Sequence, residues 1–79
     1  MNTQTVTQLH RKLYLSDMRP QSQQAADLLK QFMANYSLHL NLKNRNEGVR
    51  AAVVMLDMRE QAKTINAMIK GGEIIEGGE

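Results

Sequence analysis

Six consecutive apolar residues, Ala51-Ala52-Val53-Val54-Met55-Leu56, follow the opening Asn44-Arg45-Asn46-Glu47-Gly48-Val49-Arg50. In a helix such a run leaves no polar face, and a helix that is apolar all round must be buried all round. A chain of 79 residues has few other elements to bury it with. It forms one domain and removes only about 60–65% of its unfolded surface from water on folding. Small domains make up that deficit with disulfides, a metal or oligomerisation. The chain has no cysteine, which excludes a disulfide framework and a thiolate metal site. Its two histidines, His10 and His39, are too far apart in sequence to form a local ligand pair. The remaining support is a second copy of the same chain. A homodimer is therefore expected, with no metal and no cofactor.

The longest apolar run is six residues, far short of the roughly 20 that a membrane span requires. The first residues, Met1 to Gln8, combine neither a basic nor an apolar segment, so no signal peptide and a cytoplasmic location are expected. The net charge is +2, but it is unevenly placed. Residues 1–50 carry Arg11, Lys12, Arg19, Lys30, Lys43, Arg45 and Arg50 against three acids, and residues 51–79 carry five acids against three cations. A basic front and an acidic end suit a polyanion-binding body with a separate tail.

Residues 1–7 are polar and unpatterned, and are read as a flexible arm. From Gln8 to Ser16 the chain alternates. Leu9, Leu13 and Leu15 fall on one face with Arg11, and His10, Lys12, Tyr14 and Ser16 fall on the other. Period two with one apolar face predicts a half-buried strand, whose unpaired backbone groups would pair with the same strand of a second chain. Pro20 breaks the pattern, and Ser22 caps a first helix over residues 21–36 with Ala25, Leu29, Phe32 and Tyr36 at helical spacing. Residues 37–43, where Leu38, Leu40 and Leu42 alternate with polar residues, read as a connector or as a second strand. A second helix begins at Asn44 or Arg45, capped by Asn44 with Glu47 three residues on. It runs to Ile69, keeps a narrow seam of Met55, Met58, Ala62, Ile65 and Ile69, and ends at Gly71-Gly72. The tail from Glu73 to Glu79 is expected to be disordered until it is bound.

No catalytic grouping is visible: there is no cysteine nucleophile, no glycine-rich phosphate loop and no carboxylate pair backed by a histidine. An enzyme is not expected. The polar face of the strand has a different use. In a two-stranded ribbon, His10, Lys12, Tyr14 and Ser16 would project together, as side chains do that read base edges in the major groove. Lys43, Asn44 and Arg45 beside a helix N-terminus would hold a phosphate.

The order of strand, helix and capped helix, with Asn44-Arg45-Asn46-Glu47-Gly48-Val49-Arg50-Ala51-Ala52 opening the last element, resembles the ribbon-helix-helix family of DNA-binding dimers. Val49, Arg50 and Ala52 fall where that family's pattern places them, and asparagines replace its serines. The extension from Leu56 to Gly72 also resembles ParD-type antitoxins. The resemblance implies a mainly α fold, with one short strand and two helices intertwined in a homodimer. Leu13, Leu15, Leu29, Phe32, Val49, Val53 and Leu56 would form the dimer core within residues 8–56. Residues 57–79 would be a helical extension and acidic tail. Double-stranded DNA would be the ligand, and the seam from Met55 to Ile69 would take a toxin. The expected function is a transcriptional repressor, foremost an antitoxin that controls its own operon. A plasmid copy-control, partition or conjugation regulator fits the same fold. The competing reading is a helical adaptor that binds protein rather than DNA, in which Leu9–Leu15 would belong to a helix or loop.

Overall fold

Thr5 opens the first element with a reciprocal cap. Its hydroxyl accepts from the Gln8 N–H at 3.2 Å, while the Gln8 side-chain oxygen accepts from the Thr5 N–H at 2.9 Å. This capping box satisfies two donors that a helix start otherwise leaves free. The computed structural model describes residues 3–15 and 17–77. In it the first helix, α1, spans Val6–Tyr14 and buries Val6 and Leu9, with Leu13 packed against the core.

A short strand follows, β1 (Met18–Pro20), then two long helices, α2 (Gln23–Asn44) and α3 (Gly48–Gly71), and a last strand, β2 (Ile74–Glu76). The fold is mainly helical, with a two-stranded antiparallel sheet in which Met18 pairs with Glu76, Arg19 with Ile75 and Pro20 with Ile74. Gln21 N–H donates to the Glu73 carbonyl at 2.7 Å and Gly77 N–H donates to the Asp17 carbonyl, extending the ladder at both ends.

Residues 8–14 of the strand expected over residues 8–16 are therefore helical, and Leu15 caps that helix. Val6, Leu9 and Leu13 recur at i, i+3 and i+7, which is a helical stripe. Read from Leu9 onward, with Leu15 included, the same leucines also alternate. The capping box decides between the two periods, and Leu15, assigned to the buried face of a strand, is 59% exposed.

The helix over residues 21–36 is also longer than its apolar pattern. Ser22 caps it as expected, its hydroxyl accepting from the Ala25 N–H at 3.1 Å. Residues 37–43 are neither connector nor strand but two further turns of α2. There Leu42 is buried, Leu38 and Leu40 are exposed, and His39 Nδ1–H donates to the Ala51 carbonyl at 2.9 Å, tying α2 to α3.

Asn44 does not cap the second long helix; it is the last residue of α2. Asn46, at φ 60°, takes the left-handed conformation that closes α2. Asn46 N–H then donates to the Lys43 carbonyl at 3.1 Å and Glu47 N–H to the Leu42 carbonyl at 2.9 Å. Gly72, at φ 84°, repeats the device at the end of α3. Its N–H donates to the Ile69 carbonyl at 3.2 Å and the Glu73 N–H to the Met68 carbonyl at 2.9 Å. Both are Schellman closures, in which a left-handed residue lets the chain satisfy its last carbonyls. Asparagine tolerates that conformation because its short polar side chain bonds locally.

The core lies where three layers meet. Ala25, Leu29 and Phe32 of α2 pack with Met58, Ala62 and Ile65 of α3, and Val6 and Leu9 of α1 close over them. Met18 and Ile74 contribute from the sheet. Within the segment expected to be disordered, Ile74–Glu76 form β2, and Ile74 is almost fully buried. Within the region expected to be a flexible arm, Gln4 is tied on both sides. Its N–H donates to Asn66 Oδ1 at 3.1 Å, Asn66 Nδ2 donates to its carbonyl at 2.9 Å, and its own Nε2 donates to Glu76 Oε2 at 2.7 Å. No helix among the described residues is long and apolar enough to cross a membrane.

Candidate functional site

α2 and α3 form a hairpin, and the third layer covers only one half of it. α1, β1 and β2 pack on the half that holds the N-terminus of α2 and the C-terminus of α3. The other half ends at the turn 45–47 and carries Leu38, Leu40, Val49, Val53 and Leu56, all exposed. Val49 is 82% exposed, Val53 55% and Leu56 59%. The last three recur at i, i+4 and i+7 and so form one stripe along the first half of α3. The buried residues of α3, Ala51, Met58, Ala62 and Ile65, lie on the opposite side of the helix. Further along, the outer side turns polar, with Lys63 Nζ donating to Glu60 at 3.3 Å.

The expectation that Ala51–Leu56 is buried all round thus holds for only one side within a single chain. Ala51 is buried and Val54 and Met55 are half-buried, while Ala52, Val53 and Leu56 face out. Scattered exposed apolar residues are ordinary on a protein surface; a contiguous stripe with no charge inside it marks an interaction site.

The residues assigned to base reading do not come together. His10 and Tyr14 lie one turn apart on α1, their rings 6.4 Å apart, but His10 stacks inward on Tyr36 of α2 at 3.6 Å and 9° between planes. Burial there pushes its imidazole below the ordinary 6.5. Lys12 projects differently: its Nζ donates to Glu76 Oε2 at 2.6 Å. That hydrogen bond holds the Glu76 carboxyl below its ordinary range, against the opposing effect of burial. Ser16 lies outside the described residues. A helix of period 3.6 cannot present positions 10, 12 and 14 on one face, so among the described residues His10, Lys12 and Tyr14 do not form the readout face of a ribbon.

Lys43, Asn44 and Arg45 are exposed together, but at the C-terminal end of α2 rather than the N-terminal end of the next helix. There cations complement helix carbonyls, and the dipole repels an anion instead of attracting it. At the start of α3 the Glu47 side chain makes no cap and pairs with Arg50 at 3.0 Å. The phosphate site expected from that cap is absent in the form proposed.

The seam assigned to a partner protein is occupied by the chain itself. Met58, Ala62 and Ile65 are buried in the core, and Met55 and Ile69 pack against it. Of the residues assigned to a dimer core, Leu29 and Phe32 are buried within one chain and Leu13 packs on that core, whereas Leu15, Val49, Val53 and Leu56 are exposed. The seam and the stripe are the two opposite sides of α3. A spacing of three and four occurs on both, so the sequence does not say which side the chain covers by itself.

Two signals legible in the sequence mark what was missed. Thr5-Val6-Thr7-Gln8 is a capping-box pattern, and Asn46 is the residue type that closes a helix in place of glycine. Compared with known proteins, the chain matches no family model, and no curated protein or solved structure matches it.

Proposed function

We propose that this chain is a non-enzymatic helical protein-interaction module, which acts by docking the bare half of its α2–α3 hairpin on another protein surface. The observation that carries the reading is the uncovered stripe Val49, Val53 and Leu56. The helical state of residues 6–14 supports it as well, because a DNA-reading ribbon needs those residues as a strand. A cytoplasmic location accords with this reading and rests on the sequence alone.

The test is a photo-crosslinking residue, p-benzoylphenylalanine, placed at Val49 in cells and, as control, at Lys63 on the polar outer side. A discrete protein adduct from position 49 and none from 63 is the expected result. No adduct from either position, or equal adducts from both, would sink the reading.

A second reading is DNA binding, and one observation favours it: Lys43 and Arg45 are exposed side by side at the hairpin turn, where the neighbouring Glu47 is already engaged by Arg50. In this form the chain would be a homodimeric transcriptional regulator, as an antitoxin acting on its own operon or as a plasmid accessory protein. Its contacts would be to phosphates, so affinity would fall steeply with salt. A gel shift with the DNA upstream of its own reading frame separates the two. A sequence-specific shift at low salt supports the regulator, and none supports the adaptor.

A further inference from the structure

On the covered half of the hairpin, α1 lies against the last turns of α3 and leaves a cleft of about 890 Å³ between them. Val6, Leu9 and Leu13 face the core, so Gln8, Arg11 and Lys12, three and four residues apart, line the cleft from the other side of α1. Asn66, Ile69 and Lys70 line it at the same spacing from α3. Gln4 and Asn66 tie the two walls together. The Gln4 N–H donates to Asn66 Oδ1 at 3.1 Å, and Asn66 Nδ2 donates back to the Gln4 carbonyl at 2.9 Å.

The cleft already holds one oxyanion, the chain's own. Glu76 Oε2, which also lines it, accepts from Lys12 Nζ at 2.6 Å and from Gln4 Nε2 at 2.7 Å. Arg11 and Lys70 are exposed, and neither has an ion-pair partner among the described residues. Gln8 adds donors: its side-chain oxygen is taken by the Thr5 N–H, which leaves its Nε2 hydrogens for another acceptor. Cations in the last turns of α1 and α3 complement the carbonyl ends of those helices. That effect acts on each helix separately and does not require the cations of both to line one concavity.

We propose that this cleft binds a small organic phosphate, with the phosphate held by Arg11 and Lys70 and the ligand's apolar body against Ala67 and Ile69. Charge and shape select that class. With Lys12 neutralised by Glu76, two positive charges remain in the cleft. A phosphate monoester carries about −1.5 to −2 at pH 7, whereas a single carboxylate would leave one cation unmatched. Arginine offers a phosphate its planar fork and lysine a mobile point charge. The volume lies within the roughly 300–1,000 Å³ of small-molecule sites and exceeds what a bare ion fills. Exposed Ala67 and half-buried Ile69 give it an apolar lining. A DNA duplex presents its phosphates on a convex rod, which a crevice between two helices does not fit. The cleft lies away from the Val49–Leu56 stripe, so its ligand and a docked protein would not compete.

The probe is phenyl phosphate, titrated into the full chain and followed by two-dimensional amide NMR. Saturating shifts should appear at Gln8–Lys12 and Asn66–Lys70, with a Kd of about 1 mM, the scale a ligand of that size reaches. Inorganic phosphate, which lacks the apolar body, and benzoate, which carries one charge, should each bind more weakly. Arg11→Gln and Lys70→Gln should each weaken phenyl phosphate binding by about tenfold, and the double variant should abolish the shifts. Both side chains are exposed and unpaired, so the variants keep the parent's fold, which the core amides of Phe32 and Ile65 report. Lys30→Gln, which removes an exposed cation of α2 outside the cleft, should bind as the parent does.

Shifts that do not saturate, or that are as large around Lys30 as around Arg11, overturn the proposal. So does binding that survives in the folded double variant. Benzoate or inorganic phosphate bound as tightly as phenyl phosphate overturns the organic phosphate as the ligand class. A response to duplex DNA with none to phenyl phosphate overturns it in favour of nucleic-acid phosphates.

Discussion

At the scale of single residues, two titrating groups make the fold sensitive to acid. Glu76 accepts from Lys12 Nζ at 2.6 Å and from Gln4 Nε2 at 2.7 Å, and its carboxyl is held below its ordinary range chiefly by the Lys12 hydrogen bond. A depressed carboxylate contributes stability that is present above its unfolded value and lost as pH falls through the folded one. His10, stacked on Tyr36, is lowered below 6.5 by burial. The unfolded chain then binds the proton more readily than the folded one, so stability is lost as pH drops below the unfolded value towards the lowered folded one. The two slopes have the same sign. Stability should therefore rise with pH up to about 7, the His10 part as pH rises towards its unfolded 6.5 and the Glu76 part below its unfolded 4.5. His10→Phe, which keeps a ring against Tyr36, should flatten the upper part of that range, and Glu76→Gln the lower part, read as urea-unfolding midpoints against pH. A His10→Phe protein with the parent's slope above pH 5 would argue against the assignment to His10. Both groups are partly solvated, so the changes are modest.

At the scale of the element, glycines at opposite ends of α3 have opposite roles. A Cβ built on Gly48 meets nothing within 4 Å, and the residue sits at the first helical position without a left-handed backbone. Gly48→Ala should stabilise the fold by about 0.4–1 kcal/mol through the unfolded state's lost freedom. Gly72 also has open space around it, but its φ of 84° is the left-handed closure of the helix. Gly72→Ala should destabilise by about 1–2 kcal/mol, the cost of holding an L-residue in that conformation. Thermal melts of the two variants should shift in opposite directions; shifts of the same sign would mean that the closure does not depend on the left-handed residue. Much of this was legible in the sequence. Ser22 and Gly71-Gly72 mark the start of α2 and the end of α3 because caps and left-handed closures are local events with residue-type signatures. The turn between them was misread for an equally local reason. Asn44-Arg45-Asn46-Glu47 satisfies a helix start and a helix stop at once, and only the backbone at Asn46 distinguishes them. The nine-residue α1 escapes the sequence because Leu9 and Leu13 fit either period over so short a span.

At the scale of the whole molecule, the tail anchors the covered half of the hairpin. Ile74, which pairs with Pro20 across the sheet, is buried in the core, and Met18 of β1 is buried there too. Ile74→Ala should cost about 2–5 kcal/mol in urea unfolding, and the loss should be accompanied by faster hydrogen exchange at the Gln21 and Gly77 amides that extend the ladder. A cost under about 1 kcal/mol, within the range of surface substitutions, would show that the tail merely rests on the core. Nothing in the sequence announces this pairing. Each strand is three residues long, too short for a period, and the two are brought together from opposite ends of the chain. By itself the sequence determined a mainly helical single domain, the apolar face of α2, the Ser22 and Gly72 boundaries and the presence of more apolar surface on α3 than one chain of this size can cover. The tertiary structure decided that residues 6–14 coil rather than extend, that the Met58–Ile65 side of α3 faces inward, and that Val49, Val53 and Leu56 are left bare. The division has a physical cause. Capping and helical closure are set by a residue and its neighbours within one turn, whereas which side of an apolar helix is covered depends on what packs against it, and no local pattern encodes that.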